Sequence, residues 1–186
     1  MDTSTILTLL TFATALLFCP TRTDAAIAIQ LERLEQIGGA HLADTSAIRV
    51  RKYNRTTFTL NGTFVVYQDL DETYEASLKV AYSRLGNNQW NEYPMKIGQK
   101  SVCRAMVEEY QQYQHVFVNS TNLPWVAEGT RSFCPFPKGA YWIHDLAPDA
   151  SWVPPVVPAG YWRMTLDSWR NGELQGVFRV YLRLTK

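Results

Sequence analysis

From Phe58 onward the chain alternates. Phe58, Leu60, Phe64 and Val66 fall on one side of a period-two pattern, and Thr57, Thr59, Asn61 and Thr63 fall on the other. Successive side chains of a strand point to opposite faces, so this pattern predicts a half-buried strand. Gly62 lands on the apolar side and predicts a bulge or a close backbone approach. Tyr74, Ala76, Leu78, Val80 and Tyr82 repeat the alternation against Glu75, Ser77, Lys79 and Ser83. Gly86-Asn87-Asn88 then supplies a turn. A third strand runs through Tyr93, Met95 and Ile97, and Pro94 places it at a sheet edge.

The period changes over residues 101–113. Cys103, Val107 and Tyr110 recur at helical spacing, which predicts one short helix. Residues 119–130 read as loop through Pro124 and Gly129, and an aromatic strand follows over 140–144. A proline-rich connection over 148–158 leads to the last two strands. In the first, Trp162, Met164 and Leu166 alternate with Arg163, Thr165 and Asp167. Asn171-Gly172 is a hairpin signal, because Asn-Gly suits the turns that match strand twist. The return strand puts Phe178, Val180, Leu182 and Leu184 inside and Arg179, Tyr181 and Arg183 outside. Residues 31–46 are ambiguous: Leu31, Leu34 and Ile37 fit a turn of helix ended by Gly38-Gly39, or a loose lead. Six to eight antiparallel strands, one short helix and turn signals between them predict an all-β sandwich.

The first residues carry an address. Residues 6–19, ILTLLTFATALLFC, are almost wholly apolar or hydroxylic and precede the small pair Ala25-Ala26. This reads as a secretory signal peptide over 1–25, with the mature domain over 26–186. The run is shorter than the ~20 apolar residues a spanning helix needs, so no transmembrane segment is expected in the mature protein. In that compartment Cys19 is lost with the signal, and Cys103 and Cys134 are expected to form a disulfide. Three sequons fit the same route: Asn54-Arg55-Thr56, Asn61-Gly62-Thr63 and Asn119-Ser120-Thr121. Asn61 ranks first among them as a glycosylation site, because it lies opposite the apolar face.

Charge narrows the partners. Lys and Arg number 18, Asp and Glu 17, for a net charge of +1 with no block of either sign. Nothing here points to nucleic acid or to a polybasic membrane contact. His41, His115 and His144 fit no zinc spacing with the two thiols, so no metal and no cofactor are expected. No nucleophile elbow, metalloprotease helix or phosphate-binding glycine loop is present, and no enzymatic activity is expected. His144 and Asp145 are strand neighbours expected to point apart, which makes them a poor catalytic pair. Glu108 and Glu109 read as solvated helix residues.

The apolar inventory remains. Phe64, Met95, Trp162, Met164 and Phe178 come from predicted inner faces. They fill a core between two sheets or, if the sheets splay, line an apolar pocket. Periodicity alone does not choose between the two.

At Cys134 the chain carries a distinctive string, Cys134-Pro135-Phe136-Pro137-Lys138-Gly139-x-Tyr141, about thirty residues after Ser101-Val102-Cys103. With Pro158-Ala159-Gly160-Tyr161 and the closing hairpin, it resembles a family of insect secreted proteins over roughly residues 53–186. These carry a domain of unknown function related to the ML lipid-recognition superfamily, which includes the ganglioside activator protein and insect sterol-binding proteins. The CheB-type chemosensory branch is especially similar. The resemblance implies an immunoglobulin-like sandwich with a lipid pocket, and a secreted carrier of a small hydrophobic ligand such as a lipid, sterol or pheromone-like molecule. A receptor or other extracellular protein would be a further partner. The chain departs from better-known members in having one disulfide. The alternative is a secreted module with a filled core that recognises protein or carbohydrate through its surface.

Overall fold

The computed structural model describes residues 27–147 and 150–186, so the expected signal peptide lies outside the described residues. In chain order the strands are β1 (Ala28–Gln36), β2 (Ala43–Asp44), β3 (Arg49–Lys52), β4 (Phe58–Val66), β5 (Tyr74–Ser83) and β6 (Asn91–Ser101), then β7 (Gly139–Leu146), β8 (Gly160–Arg170) and β9 (Glu173–Thr185). One sheet has five strands in the order β1-β9-β8-β5-β6. In the other, β4 is central, with β2 and β3 on one edge and β7 on the opposite edge. Every pairing is antiparallel. The all-β sandwich expected from the alternation is therefore present, with β6 on the edge that Pro94 requires.

The N-terminal lead is a strand and not a helical turn. β1 pairs with β9 but slips by one residue between Leu31 and Arg33. The bulge adds one residue, so Leu31 and Leu34, three apart, both reach the core-facing side. Helical spacing in the sequence is here the signature of a bulged strand. Gly62 makes the close approach its position predicted. Its φ is +136°, and a Cβ there would sit 2.2 Å from the Ala47 carbonyl oxygen. In the β8–β9 hairpin Asn171 and Gly172 both have positive φ, 52° and 79°. That geometry matches the right-handed twist of the strands it joins.

The helical segment α1 covers 102–117, longer than the pattern predicted. It opens as an α turn (Val102–Ala105), widens over Met106–Tyr110, and tightens through Gln111–Tyr113 and Gln114–Phe117. The Ser101 hydroxyl caps it, accepting from the Arg104 backbone N–H at 3.3 Å. Cys103 in the first turn bonds Cys134, with Cα atoms 5.1 Å apart. That bridge ties the start of α1 to the segment in which Phe136 exchanges backbone hydrogen bonds with Leu70.

The core has three parts. Leu31, Ile48, Leu60 and Leu146 join the two sheets in the middle. At one end Val66, Met106, Val126, Phe136 and Tyr141 pack around α1. At the other end Val80, Trp162, Leu182 and Leu184 of the five-stranded sheet are covered by Val153 and Val157 of the proline-rich connection, and not by the second sheet.

Candidate functional site

The five candidate pocket residues divide between the two ends. Met95, Trp162 and Met164 line one apolar cavity, together with Val80, Val157 and Leu182. Phe64 and Phe178 pack on the cluster around Met106 and Tyr141. The cavity measures about 30 Å³. That is far below the roughly 300–1,000 Å³ of small-molecule sites.

Between the ends lies an uncovered row. Ile97 stands opposite Leu78, Leu78 opposite Leu166, and Leu166 opposite Phe178, across β6, β5, β8 and β9. Residues directly opposite share a face, and Trp162, Met164 and Phe178 fix this one as the core-facing side. Yet Ile97, Leu78 and Leu166 belong to none of the packed clusters. Leu166 is 42% exposed on the central strand of the sheet, and Met95 on the edge strand is 43% exposed. A core-facing leucine in a sandwich is ordinarily covered by the second sheet. Leaving 42% of one uncovered forgoes roughly 1 kcal/mol of burial. Of this row Leu166 is the exposed member, whereas Ile97, Leu78 and Phe178 are half-buried.

The next row toward α1 is polar at its edge. Lys100 stands opposite Ala76, Ala76 opposite Ser168, and Ser168 opposite Gly176. The Lys100 ammonium donates to Glu108 Oε2 at 2.7 Å and to Glu109 Oε1 at 2.5 Å, both from α1. Arg104 donates to the other oxygen of Glu108 at 2.8 Å. The Lys100 bond, then the Arg104 bond, holds the Glu108 carboxyl below the usual carboxylate range. The bonds to Glu108 first and then to Glu109 raise the Lys100 ammonium above its ordinary value. Glu109 Oε2 is buried and has no protein hydrogen-bond partner among the described residues. Glu109 is thus the inward-turned partner of Lys100 and not the solvated helix residue its sequence context suggests. Leu78, Ile97 and Leu166 stand in the same alternating patterns as the five candidates but are not among them. Their alternation carried the facing but not the exposure.

A second polar group lies on the outer face of the smaller sheet. Asp145 Oδ1 accepts from Asn61 Nδ2 at 2.6 Å and from the Thr59 hydroxyl at 3.2 Å. These bonds, that from Asn61 first, hold its carboxyl below the usual range. Its other oxygen lies 3.2 Å from His144 Nε2. The two neighbours meet because Asp145 has a φ of +46°, which breaks the strand alternation that would separate them. The Thr59 hydroxyl beside them is buried and donates to the carboxylate.

All three sequons lie on the smaller-sheet side. Asn54 is in the exposed β3–β4 turn, where its Oδ1 accepts three hydrogen bonds. Asn61 is in β4, and Asn119 precedes the Thr121–Ile143 bridge to β7. The opposite sheet carries arginines over aromatic rings on its outer face. Arg33 lies 3.9 Å from the Tyr181 ring, Arg163 4.9 Å from Trp90, and Arg183 5.3 Å from Tyr161. Glu72 lies beside Cys103 and Cys134, whose sulfurs are bonded to each other and so are not available as metal ligands.

The family described as a protein of unknown function, DUF1091, matches residues 76–164. The match begins in β5, includes β6, α1, the disulfide and β7, and ends at Met164 of β8. It therefore contains Leu78, Ile97, Lys100 and Glu109, and stops before Leu166. No curated protein matches the chain.

Proposed function

We propose that the chain is an extracellular, non-enzymatic binding protein for a small apolar ligand, which lies against the Ile97–Leu78–Leu166–Phe178 row. The carrying observation is Leu166: a leucine on the core-facing side of the central strand, 42% exposed and outside every packed cluster. Apolar surface left open inside a sandwich is stabilised by any apolar molecule that covers it. Met95 and Met164 beside it are flexible and polarizable, and adapt to ligand shape. The disulfide suits an oxidising compartment, and among the described residues no helix is long and apolar enough to cross a membrane. The resemblance to the ML lipid-recognition superfamily points the same way, and with it a signal-directed, chemosensory carrier.

The neutral fluorescent probe N-phenyl-1-naphthylamine tests this. The parent protein should bind it, and Leu166→Arg should abolish binding while leaving the thermal midpoint within a few degrees. A parent that does not bind the probe, or a Leu166→Arg variant that binds it unchanged, would sink this reading.

One observation favours a second reading, a surface that recognises an acidic extracellular partner. Arg183, Arg163 and Arg179 alternate across the outer face of β8 and β9, opposite Tyr161, Tyr181 and Thr165. Among the described residues none of the three arginines makes an ion pair. Binding that falls steeply with salt and survives Leu166→Arg would belong to this face.

A further inference from the structure

The outer face of the five-stranded sheet gathers positive charge that the chain itself leaves unneutralised. Arg163 on β8 stands directly opposite Tyr181, so Arg179 and Arg183 on β9 are its diagonal neighbours. Diagonal neighbours on one face lie about 7–8 Å apart. In the Arg179 row Lys79 follows beyond Thr165, and Lys96 stands directly opposite Lys79. Like charges placed this way are destabilising. The nearby carboxylates are already engaged. Glu35 accepts from Arg33 at 2.8 Å and from the Tyr181 hydroxyl at 2.8 Å, and Asp167 pairs with Lys79 at 2.8 Å. Among the described residues Arg163, Arg179, Arg183 and Lys96 make no ion pair. The carboxylate that remains in these rows is Glu92, at the β6 edge. In a chain with a net charge of +1 this is a local excess.

The cations are also held in place. Arg163 lies 4.9 Å from the Trp90 ring and Arg183 5.3 Å from the Tyr161 ring. Stacking fixes the guanidinium planes, which lowers the ordering cost of binding, and each plane presents paired donors to an oxyanion. The rings beneath are half-buried or buried, and among the described residues no exposed large apolar side chain belongs to these rows. A folded protein partner is held mainly by a few buried anchors at the centre of its interface. A membrane surface is held by apolar side chains that enter it. This face supplies neither. What it supplies is a set of fixed cations at short intervals on a flat sheet, which suits a linear polyanion that carries repeated charges and needs no apolar anchor. The three sequons lie on the other side, so sugars there leave this face bare. We infer that the outer face of the five-stranded sheet binds an acidic polysaccharide, with Arg163, Arg179 and Arg183 as its anion contacts. This rests on the acidic-partner reading above and adds the partner's class to it.

The test measures binding of the full-length mature protein to immobilised heparin at about 0.15 M salt, with poly-L-glutamate, a DNA duplex and phosphatidylserine vesicles as competitors at equal charge. Heparin should bind, more weakly as salt rises, and each competitor should need a concentration at least about tenfold higher than free heparin to displace it. Replacing Arg163, Arg179 and Arg183 together with Gln should weaken heparin binding at least about tenfold, the scale of three exposed charge pairs. A control with Arg51→Gln, Lys52→Gln and Arg55→Gln removes the same charge from exposed positions on the smaller-sheet side. It should bind within about twofold of the parent. Thermal midpoints check that both variants fold. If the first does not, Arg183→Glu at its exposed position carries the test, with an expected loss of at least about fivefold. Displacement by poly-L-glutamate, DNA or vesicles as effective as by free heparin overturns the polysaccharide assignment and leaves the acidic-partner reading standing. An equal loss in the control overturns the assignment to this face. A parent protein that binds neither heparin nor any of the three competitors overturns the acidic-partner reading itself.

Discussion

Asp145 shows how a single backbone angle rewrites the meaning of a motif. With φ at +46° its carboxylate turns back onto β4 and collects Asn61, Thr59 and His144. Because its folded-state titration is depressed, the stabilisation these bonds give is present above the ordinary carboxylate range. It is lost as pH falls through the lowered value. We expect Asp145→Asn to flatten the acid limb of the stability curve below about pH 4, measured by urea midpoints across pH. An acid limb identical to the parent's would show that this carboxylate contributes nothing. The same network bears on glycosylation. Asn61 Nδ2, the atom a sugar would occupy, already donates to Thr59 and Asp145. Asn54 instead uses its Oδ1 and lies exposed in a turn. In a eukaryotic secretory host the occupancy at Asn54 should exceed that at Asn61, read by mass spectrometry of glycopeptides. The order expected from the strand alternation alone was the opposite, because alternation reports a face and not what that face's amide is bonded to.

At the scale of the strand, two leucines on neighbouring strands separate the Leu166 row from the core. Leu182 is buried in the Trp162 cluster, whereas Leu166 is not. Leu182→Ala should cost about 2–5 kcal/mol through lost burial and cavity formation. Leu166→Ala should cost less than about 1 kcal/mol, since its side chain already meets solvent. Chemical denaturation of both variants decides this, and equal losses would mean that Leu166 is packed. The contrast also marks what the sequence could disclose. Period-two alternation made β4, β5, β8 and β9 legible, with the correct inward residues, and Pro94 made the edge legible. β1 was not, because its bulge places Leu31 and Leu34 at helical spacing. β2 and β3 are too short, at two and four residues, to show a period. The Leu166 row itself was half legible. The pattern says that Leu166 faces inward, but its exposure depends on how far the second sheet extends, which is a property of the other strands' lengths.

For the whole molecule, the unequal sheets are the organising fact. Five strands face a narrower partner, and the uncovered difference is closed by α1 at one end and by residues 153–157 at the other. The Ile97–Leu78–Leu166 row lies between these two closures, with Lys100 one row beyond it on the α1 side and Met164 and Trp162 on the other. The disulfide fixes the α1 closure to the chain leading into β7, while the other closure is held by packing of Val153 and Val157 and by hydrogen bonds from Lys186, Trp162 and Tyr82 to the carbonyls of Pro155, Pro158 and Ala159.

The placement of the three sequons has a consequence for how copies of this protein could meet. Asn54, Asn61 and Asn119 all belong to the smaller sheet's side, and the outer face of the five-stranded sheet has none. Sugars at these positions would act as a one-sided brush, keeping that half of the molecule away from any large neighbour. Close approach would be left to the bare arginine-lined half, so encounters at high concentration would occur back to back, with the sugar-bearing halves facing away from each other.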